Sequence, residues 1–384
     1  MIHVTKTYLP PLEEYVQYLQ RIWKSNQLTN NGPLVRELES KVKEHLRVKD
    51  LFFVSSGTIA LQIAIKALDL EGDIITTPFS YVATTSSIVW EGCRPVFVDI
   101  DPETLCLNPA LIDKAITPQT TAILATHVYG HPCDTQGIEK IAGRRGLKVI
   151  YDAAHAFGVR YKGVSLVSYG DVSTLSFHAT KLFHTGEGGA VVANDDAVAH
   201  KIAYMRNFGH RGQEAFWGLG INGKNSEFHA AMGLCVLPRV PELIRKRKAI
   251  SRMYDELLRD SSLVRPTIRA GTVYNYAYYP VLFPSETELL STRAALNERG
   301  IFPRRYFYPS LNTIHYAGGQ DMPVAESAAR RVLCLPLYDS MDATTVQLIC
   351  DLLHGANRAI DSQPRPLRCG TGKAAGRGDR KPLY

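Results

Sequence analysis

What this chain lacks narrows it quickly. Its seven cysteines among 384 residues (Cys93, Cys106, Cys133, Cys235, Cys334, Cys350 and Cys369) are scattered, with no CxxC pair and no metal-ligand spacing. An odd count without a framework excludes a disulfide-stapled domain and predicts a reducing, cytoplasmic setting. No apolar run approaches a membrane span, and the opening MIHVTKTYLP has no apolar leader core, so a soluble protein with no membrane partner is expected. There is no Walker A loop, no GxGxxG turn after a strand and no GxSxG elbow, which removes the parts that kinases and serine hydrolases need. His127 and His131 would suit a metal only on a helix, and Tyr129 to Pro132 reads as a loop, so no metal is expected. The formal charge of +7 is concentrated: Asp361 to Tyr384 carries six Lys/Arg against two Asp/Glu, a net +4. The remainder is nearly balanced and has no basic stripe interleaved with aromatics, so nucleic acid is not expected as a partner.

What is present is an ordinary globular composition, 45% hydrophobic and 21% charged, on a chain long enough for two domains or one large α/β unit with an appendage. Leu12, Tyr15, Val16, Leu19, Ile22 and Trp23 recur at helical spacing, LTNNGP (Leu28 to Pro33) interrupts, and Leu34, Leu38, Val42 and Leu46 mark a second helix. Short apolar runs then alternate with helical segments. Leu51 to Val54, Ile74 to Thr77, Pro95 to Val98, Ala122 to Thr126, Val149 to Tyr151 and Ala190 to Ala193 read as buried strands, and Val172 to Phe177 is a short apolar, β-branched run. The pattern predicts an α/β fold with a mainly parallel sheet covered on both faces. Beyond it come a long charged helix from Val240 to about Arg259, a Tyr- and Val-rich strand from Thr272 to Phe283, a helix from Glu286 to Asn297, a strand from Val332 to Leu337 and a helix near Thr344 to Leu353. The division expected is a large domain over 1–245, a smaller α+β domain over 246–360, and a basic, disordered tail over 361–384.

The chemistry centres on GDVSTLSFHATKLFHTGEGG (Gly170 to Gly189), in which Lys181 follows an apolar β-branched run and precedes a glycine-rich loop. An amine held there and partly stripped of water has a lowered pKa and can attack carbonyls. SSGTIAL (Ser55 to Leu61) places small residues between a strand and a helix start, which suits either a phosphate or a plain helix cap. Asp152 follows the strand in VIYDAAHAFG, at the edge where open α/β sheets bind ligands. It can hold a protonated ring nitrogen or cap a turn. His155 can face a ligand or be a buried structural histidine, and Tyr81 in PFSYVAT can stack on a planar ring or sit in the core. A phosphate cradle, a carboxylate for a pyridinium nitrogen, an aromatic face and a Schiff-base lysine are together what pyridoxal 5'-phosphate requires.

SSGTIAL, PFSYVATTSSI, VIYDAAHAFG, SFHATKLFHTGEGG and GINGKNSEFHAAMG occur in that order. With these motifs the chain, up to about Asn357, resembles the DegT/DnrJ/StrS sugar aminotransferases. The resemblance implies the fold-type I aspartate aminotransferase architecture and pyridoxal phosphate as cofactor. It makes Lys181 the residue bonded to the cofactor and Asp152 the partner of its ring nitrogen. It puts His155 beside the ring hydroxyl, Gly57, Thr58 and Ser176 on the phosphate, and Tyr81 on the ring face. Asn222 matches an asparagine that reaches the phosphate from the other subunit, so a homodimer is implied. Lys224 stands where many members carry Arg and lacks the bidentate fork. His178 and Glu187 belong to the lysine motif.

By the same resemblance L-glutamate donates the amino group to a nucleotide-linked keto sugar. SFHATK with TGEGG is similar to the C-4 aminotransferases, whereas C-3 enzymes carry SFYP and GDGG or GDAG. LTNNGP, SFHATKLFHT and FPRRYFYPSLN most resemble members that form dTDP-4-amino-4,6-dideoxy-D-glucose from dTDP-4-dehydro-6-deoxy-D-glucose, a dTDP-sugar of O-antigen (lipopolysaccharide) biosynthesis. Arg304 and Arg305 are the candidates for the diphosphate. The alternatives are a C-3 aminotransferase on a dTDP-3-keto-6-deoxyhexose and a non-catalytic regulator or sensor of the same fold. A sugar dehydratase of that fold would carry His in place of Lys181.

Overall fold

The computed structural model describes residues 1–361. Helices α1 (Leu12–Ser25) and α2 (Pro33–Leu46) open the chain where the apolar spacing places them. The break between them is made by asparagines in the left-handed region, Asn26, Asn30 and Asn31 at φ 54, 61 and 57°. Asparagine tolerates that region better than most non-glycine residues. Pro33 then opens α2 with its φ already suited to a helix.

Seven strands form one sheet: β1 (Asp50–Val54), β2 (Asp73–Thr76), β3 (Arg94–Phe97), β4 (Thr120–Thr126), β5 (Lys148–Asp152), β6 (Val172–Ser176) and β7 (Gly189–Ala193). Their order is β1-β7-β6-β5-β4-β2-β3. All pairs are parallel except those of β7, which runs antiparallel to both neighbours. Ile75, Ile123, Val149 and Tyr151 enter the core on one face, while Ile74, Leu124 and Ile150 enter it on the other. Two buried faces account for strands that read as continuous apolar runs. Helices α3 (Gly57–Ala67), α4 (Val82–Trp90), α5 (Thr135–Arg145) and α6 (Asp196–Met205) connect and cover the strands.

Register decides what meets at the sheet edge. Thr126, Asp152 and Thr174 are paired neighbours on β4, β5 and β6, and Ser176 and Val54 both oppose Gly189. The carboxyl ends of four strands and the start of β7 therefore share one edge.

After α7 (Glu227–Val236), the long helix α8 (Val240–Leu257) packs against two different cores. Val240 and Leu243 join Leu38, Phe53 and Phe183, whereas Ile250 and Tyr254 join Tyr279, Leu289 and Leu335. The later part contains β8 (Tyr279–Leu282) antiparallel to β9 (Val332–Leu335), with helices α9 (Glu286–Glu298), α10 (Pro323–Arg331) and α11 (Ala343–Asp361). Ile2 and His3 pair with Ile301 and Phe302, so the first residues return to this part.

The single strand expected over Thr272 to Phe283 is not formed. Thr272–Val273 pairs with Arg160–Tyr161, and β8 begins only at Tyr279. Between them Tyr276 turns to φ 53°, and the Asn275 side chain accepts from Ala277 N at 3.1 Å while donating to the carbonyls of His155 and Phe157. The aromatic content there reflects packing against the β5 exit. The disorder expected of 361–384 falls outside the described residues, except for Asp361, the last residue of α11.

Two of the sequence motifs meet at the start of α2. Gly32, its N-cap, has no side chain, and the buried Glu227 carboxylate takes that place, accepting from Leu34 N at 2.8 Å and Val35 N at 2.9 Å. A Cβ on Gly32 would lie 2.5 Å from the carboxyl carbon, so glycine permits the approach. Replacing Glu227 by Ala strands two buried N–H groups at the positive end of the helix. Glu227→Ala is expected to cost about 2–4 kcal/mol in urea unfolding, and Glu227→Gln, which keeps one acceptor, distinctly less.

Candidate active site

At the shared edge lies a cavity of about 240 Å³ lined by Gly57, Thr58, Tyr81, Asp152, His155, Ser176, His178, Lys181, Glu187 and Arg304 among others. Each part has a local cause.

Ser56 caps α3 by accepting from Ile59 N at 3.1 Å, which starts the helix at Gly57. The first-turn N–H groups of Gly57 and Thr58 have no acceptor within the helix and stand at its positive end. Gly57 is closely packed: a Cβ there would lie 3.0 Å from Ser176 Cβ, so one of the two would have to give by a few tenths of an ångström. Gly189 is more constrained still: its Cβ would fall 2.5 Å from the Ser56 carbonyl and 2.7 Å from Gly57 N. Bare backbone on β7 thus lets the α3 turn settle onto the sheet.

Asp152 closes β5 and is buried. Its Oδ2 accepts from Thr84 Oγ1 at 2.7 Å and its Oδ1 from Ala154 N at 3.1 Å. Thr84 is held in turn by Ser80, 2.7 Å away, and Ser80 by Thr126 at 2.9 Å. Burial pushes the Asp152 pKa up, against the pull of these donors and of Lys181. Such a carboxylate is stabilised by a positive charge brought into the cavity.

Lys181 lies in the loop after β6, where its N–H donates to the His178 carbonyl at 2.9 Å. Burial lowers its pKa to about 8, with Asp152 and Tyr81 opposing the shift and Arg304 assisting it. Its Nζ donates to Tyr278 Oη over 3.4 Å. His155 is buried with its ring stacked on Phe307 (5.6 Å, 11°), and its Nδ1 has no partner. Burial holds the His155 pKa well below its usual value, so the ring stays neutral. Tyr81 is 56% exposed at the mouth, which differs from a core aromatic. His178 and Glu187 form a rim pair at 3.7 Å.

Not every candidate reaches this cavity. Arg304 does, held in place by paired backbone bonds with Cys334 while its guanidinium lies 4.7 Å over the Tyr306 ring. Arg305 does not: it is engaged by Glu286 Oε1 at 2.6 Å and the Arg330 carbonyl at 3.0 Å, and stacks on Tyr308. Asn222 is exposed and accepts from Lys224 Nζ at 2.6 Å, and neither lines the cavity of its own chain. Thr84, Tyr278, Tyr306 and Phe307 were not anticipated. Phe307 sits at φ 67°, an unfavourable conformation for a bulky residue that turns its ring onto His155. The hydroxyl three residues after Tyr81 and the tyrosine-rich YNYAYYP were the available signals.

These features fit pyridoxal phosphate. The glycine-lined helix start suits its phosphate, the buried carboxylate its ring nitrogen, the unpartnered His155 nitrogen a ring oxygen, and the desolvated amine its aldehyde. The model of the DegT/DnrJ/EryC1/StrS aminotransferase family matches residues 12–354. The chain belongs to this family. A dTDP-4-amino-4,6-dideoxy-D-glucose transaminase of Shigella dysenteriae is 43% identical over 355 residues, 91% of this chain and 97% of that protein. One from Escherichia coli is 40% identical over 369 residues, 92% of this chain and 98% of that protein. The crystal structure of DesI in the presence of its TDP-sugar product has a TM-score of 0.89 at 32% identity, covering 94% of each chain. The fold-type I sugar aminotransferase architecture expected from the motifs is the one observed.

Two outcomes follow for measurement. Acylation of Lys181 in cofactor-free protein, read by peptide mass spectrometry, should rise with pH through a midpoint near 8, because a lowered amine pKa exposes the neutral form earlier. Gly189→Ala should lose about 1–3 kcal/mol in thermal unfolding and need more pyridoxal phosphate for half-loading, since the displaced backbone belongs to the α3 turn.

Proposed function

We propose that this aminotransferase uses pyridoxal phosphate to move the amino group of L-glutamate to C-4 of dTDP-4-dehydro-6-deoxy-D-glucose, giving dTDP-4-amino-4,6-dideoxy-D-glucose and 2-oxoglutarate. The observation that carries the reading is the convergence of a desolvated lysine amine and a buried carboxylate on one cavity, in a chain 43% and 40% identical to transaminases of that name. When bound, the cofactor supplies an electron sink for the carbanion formed at the amino-bearing carbon.

The residues of the chain do the rest. Gly57, Thr58 and Ser176 hold the phosphate through helix-start N–H groups and a hydroxyl. Asp152 would keep the ring nitrogen positive, and His155 would offer its unpartnered nitrogen to the ring oxygen. Lys181 Nζ, near neutrality in its basicity, takes the proton from the donor carbon of glutamate and later returns one to C-4 of the sugar. Tyr81 covers the ring at the cavity mouth, and His178 and Glu187 border the sugar's entry. Arg304, free of any acidic partner among the described residues and close enough to lower the Lys181 pKa, receives the anionic part of the substrate. Arg305, neutralised by Glu286, is withdrawn from that role.

The reading extends to a cytoplasmic homodimer in which Asn222 reaches the phosphate of the neighbouring subunit and Lys224 its substrate, and to a place in O-antigen sugar supply. Their position outside their own chain's cavity supports the crossing. The two packing environments of α8 likewise support a large unit over 1–245 and a smaller one over 246–360.

The test is direct. Purified protein with glutamate and the 4-keto sugar should yield a product whose NMR spectrum places nitrogen on C-4, and Lys181→Ala should abolish turnover. Nitrogen on C-3 would favour the alternative aminotransferase, and turnover retained by Lys181→Ala would overturn the assignment.

A further inference from the structure

The Lys181 amine has one hydrogen-bond partner on the chain among the described residues, and it is neither Asp152 nor His155. It is the hydroxyl of Tyr278, 3.4 Å away. Tyr278 is buried at 3% exposure, and its position is fixed from several sides. The carbonyl of Tyr278 accepts from Tyr274 Oη at 3.3 Å, and the same hydroxyl donates to the Tyr129 carbonyl at 2.8 Å. The preceding carbonyl, of Ala277, accepts from the buried Arg247 at 3.3 Å, and Ala277 N donates to Asn275. The Tyr278 ring lies 4.5 Å from that of His155 and 5.0 Å from that of Tyr306, a residue that lines the cavity. A segment with the composition of a strand is thus diverted from the ladder so that one phenol faces the amine.

We propose that Tyr278 is a positioning residue, whose hydroxyl holds the amine of Lys181 whenever that amine is not bonded to the cofactor and aims it at the reacting carbon. The proposal rests on the reading of Lys181 given above. The phenol passes no proton. It accepts a hydrogen bond from the ammonium form and so stabilises the charge that Lys181 acquires on taking a proton. Burial raises the Tyr278 pKa, which keeps the hydroxyl neutral and suited to that task.

The group on which this acts is free in enzyme carrying the amino form of the cofactor, after reaction with glutamate. In that full-length protein, acetylation of Lys181 by acetic anhydride is followed against pH by peptide mass spectrometry. Tyr278→Phe keeps the ring against His155 and removes only the hydroxyl. Loss of an acceptor for the ammonium favours the neutral amine, so the midpoint should fall by about half a pH unit or more. Both half-reactions should slow about tenfold in kcat with the KM for glutamate changed less than twofold, the loss of one hydrogen bond to a charged group. Should the Phe protein fail to accumulate, Tyr278→Leu removes the same hydroxyl and must show the same shift.

An unchanged midpoint overturns the proposal, whether or not the rate falls, because a merely structural role would slow the enzyme without moving the lysine's titration. If wild-type protein neither loads the cofactor on Lys181 nor transaminates, it is the underlying reading that fails. Wild-type activity with an unshifted Tyr278→Phe midpoint sinks the tyrosine alone.

Discussion

Burial lowers the pKa of Lys181 to about 8 and raises that of Asp152, and the attraction between them relieves each only in part. Two opposite charges taken out of water and kept from full pairing constitute an unsatisfied site, and the surrounding fold exists to hold that state. The cost of desolvating both groups has to be met by hydrogen bonds and packing elsewhere. Here it is met by a threonine–serine–threonine chain behind the carboxylate and by aromatic rings around the amine. Their unfilled electrostatic demand is what a cofactor with a cationic ring and an electrophilic carbon satisfies.

The sheet supplies the geometry. Parallel strands deliver Thr126, Asp152 and Thr174 to the same level, and one antiparallel strand brings Gly189 back to that edge. Because Gly189 has no side chain, the α3 start can lie on it, and the Ser56–Gly57 turn is fixed against the strand that follows the lysine loop. A small backbone detail on β7 therefore sets how closely the α3 start approaches the sheet edge. Glu227 does similar work at the other end of the motif set, tying α7 to the start of α2 through two N–H groups.

Most of the sheet was legible in the sequence because strands buried on both faces write themselves as short apolar runs: six of the seven were read as strands within a residue or two, and the seventh, Val172–Ser176, as an apolar, β-branched run. Lys181, Asp152 and the Ser55–Leu61 turn were legible for a related reason: each sits at a strand-to-loop transition, where residue type and neighbours act together. Tyr278 was not. Its segment has the composition of a strand, and only tertiary contacts, Asn275 with the His155 carbonyl and Tyr274 with that of Tyr129, divert it to the site. Arg304 and Arg305 were indistinguishable as adjacent residues of one type, and they part company because Glu286, distant in sequence, captures only the second. Pairing across long separations of this kind leaves no local mark.

In the proposed reaction one amine, that of Lys181, is the covalent anchor. Borohydride reduction of the protein loaded with pyridoxal phosphate, followed by proteolysis and mass spectrometry, tests it most directly. A single reduced adduct is expected, on the peptide that contains Lys181. An adduct carried by another lysine, or none on protein shown to be folded and saturated with the cofactor, would contradict it.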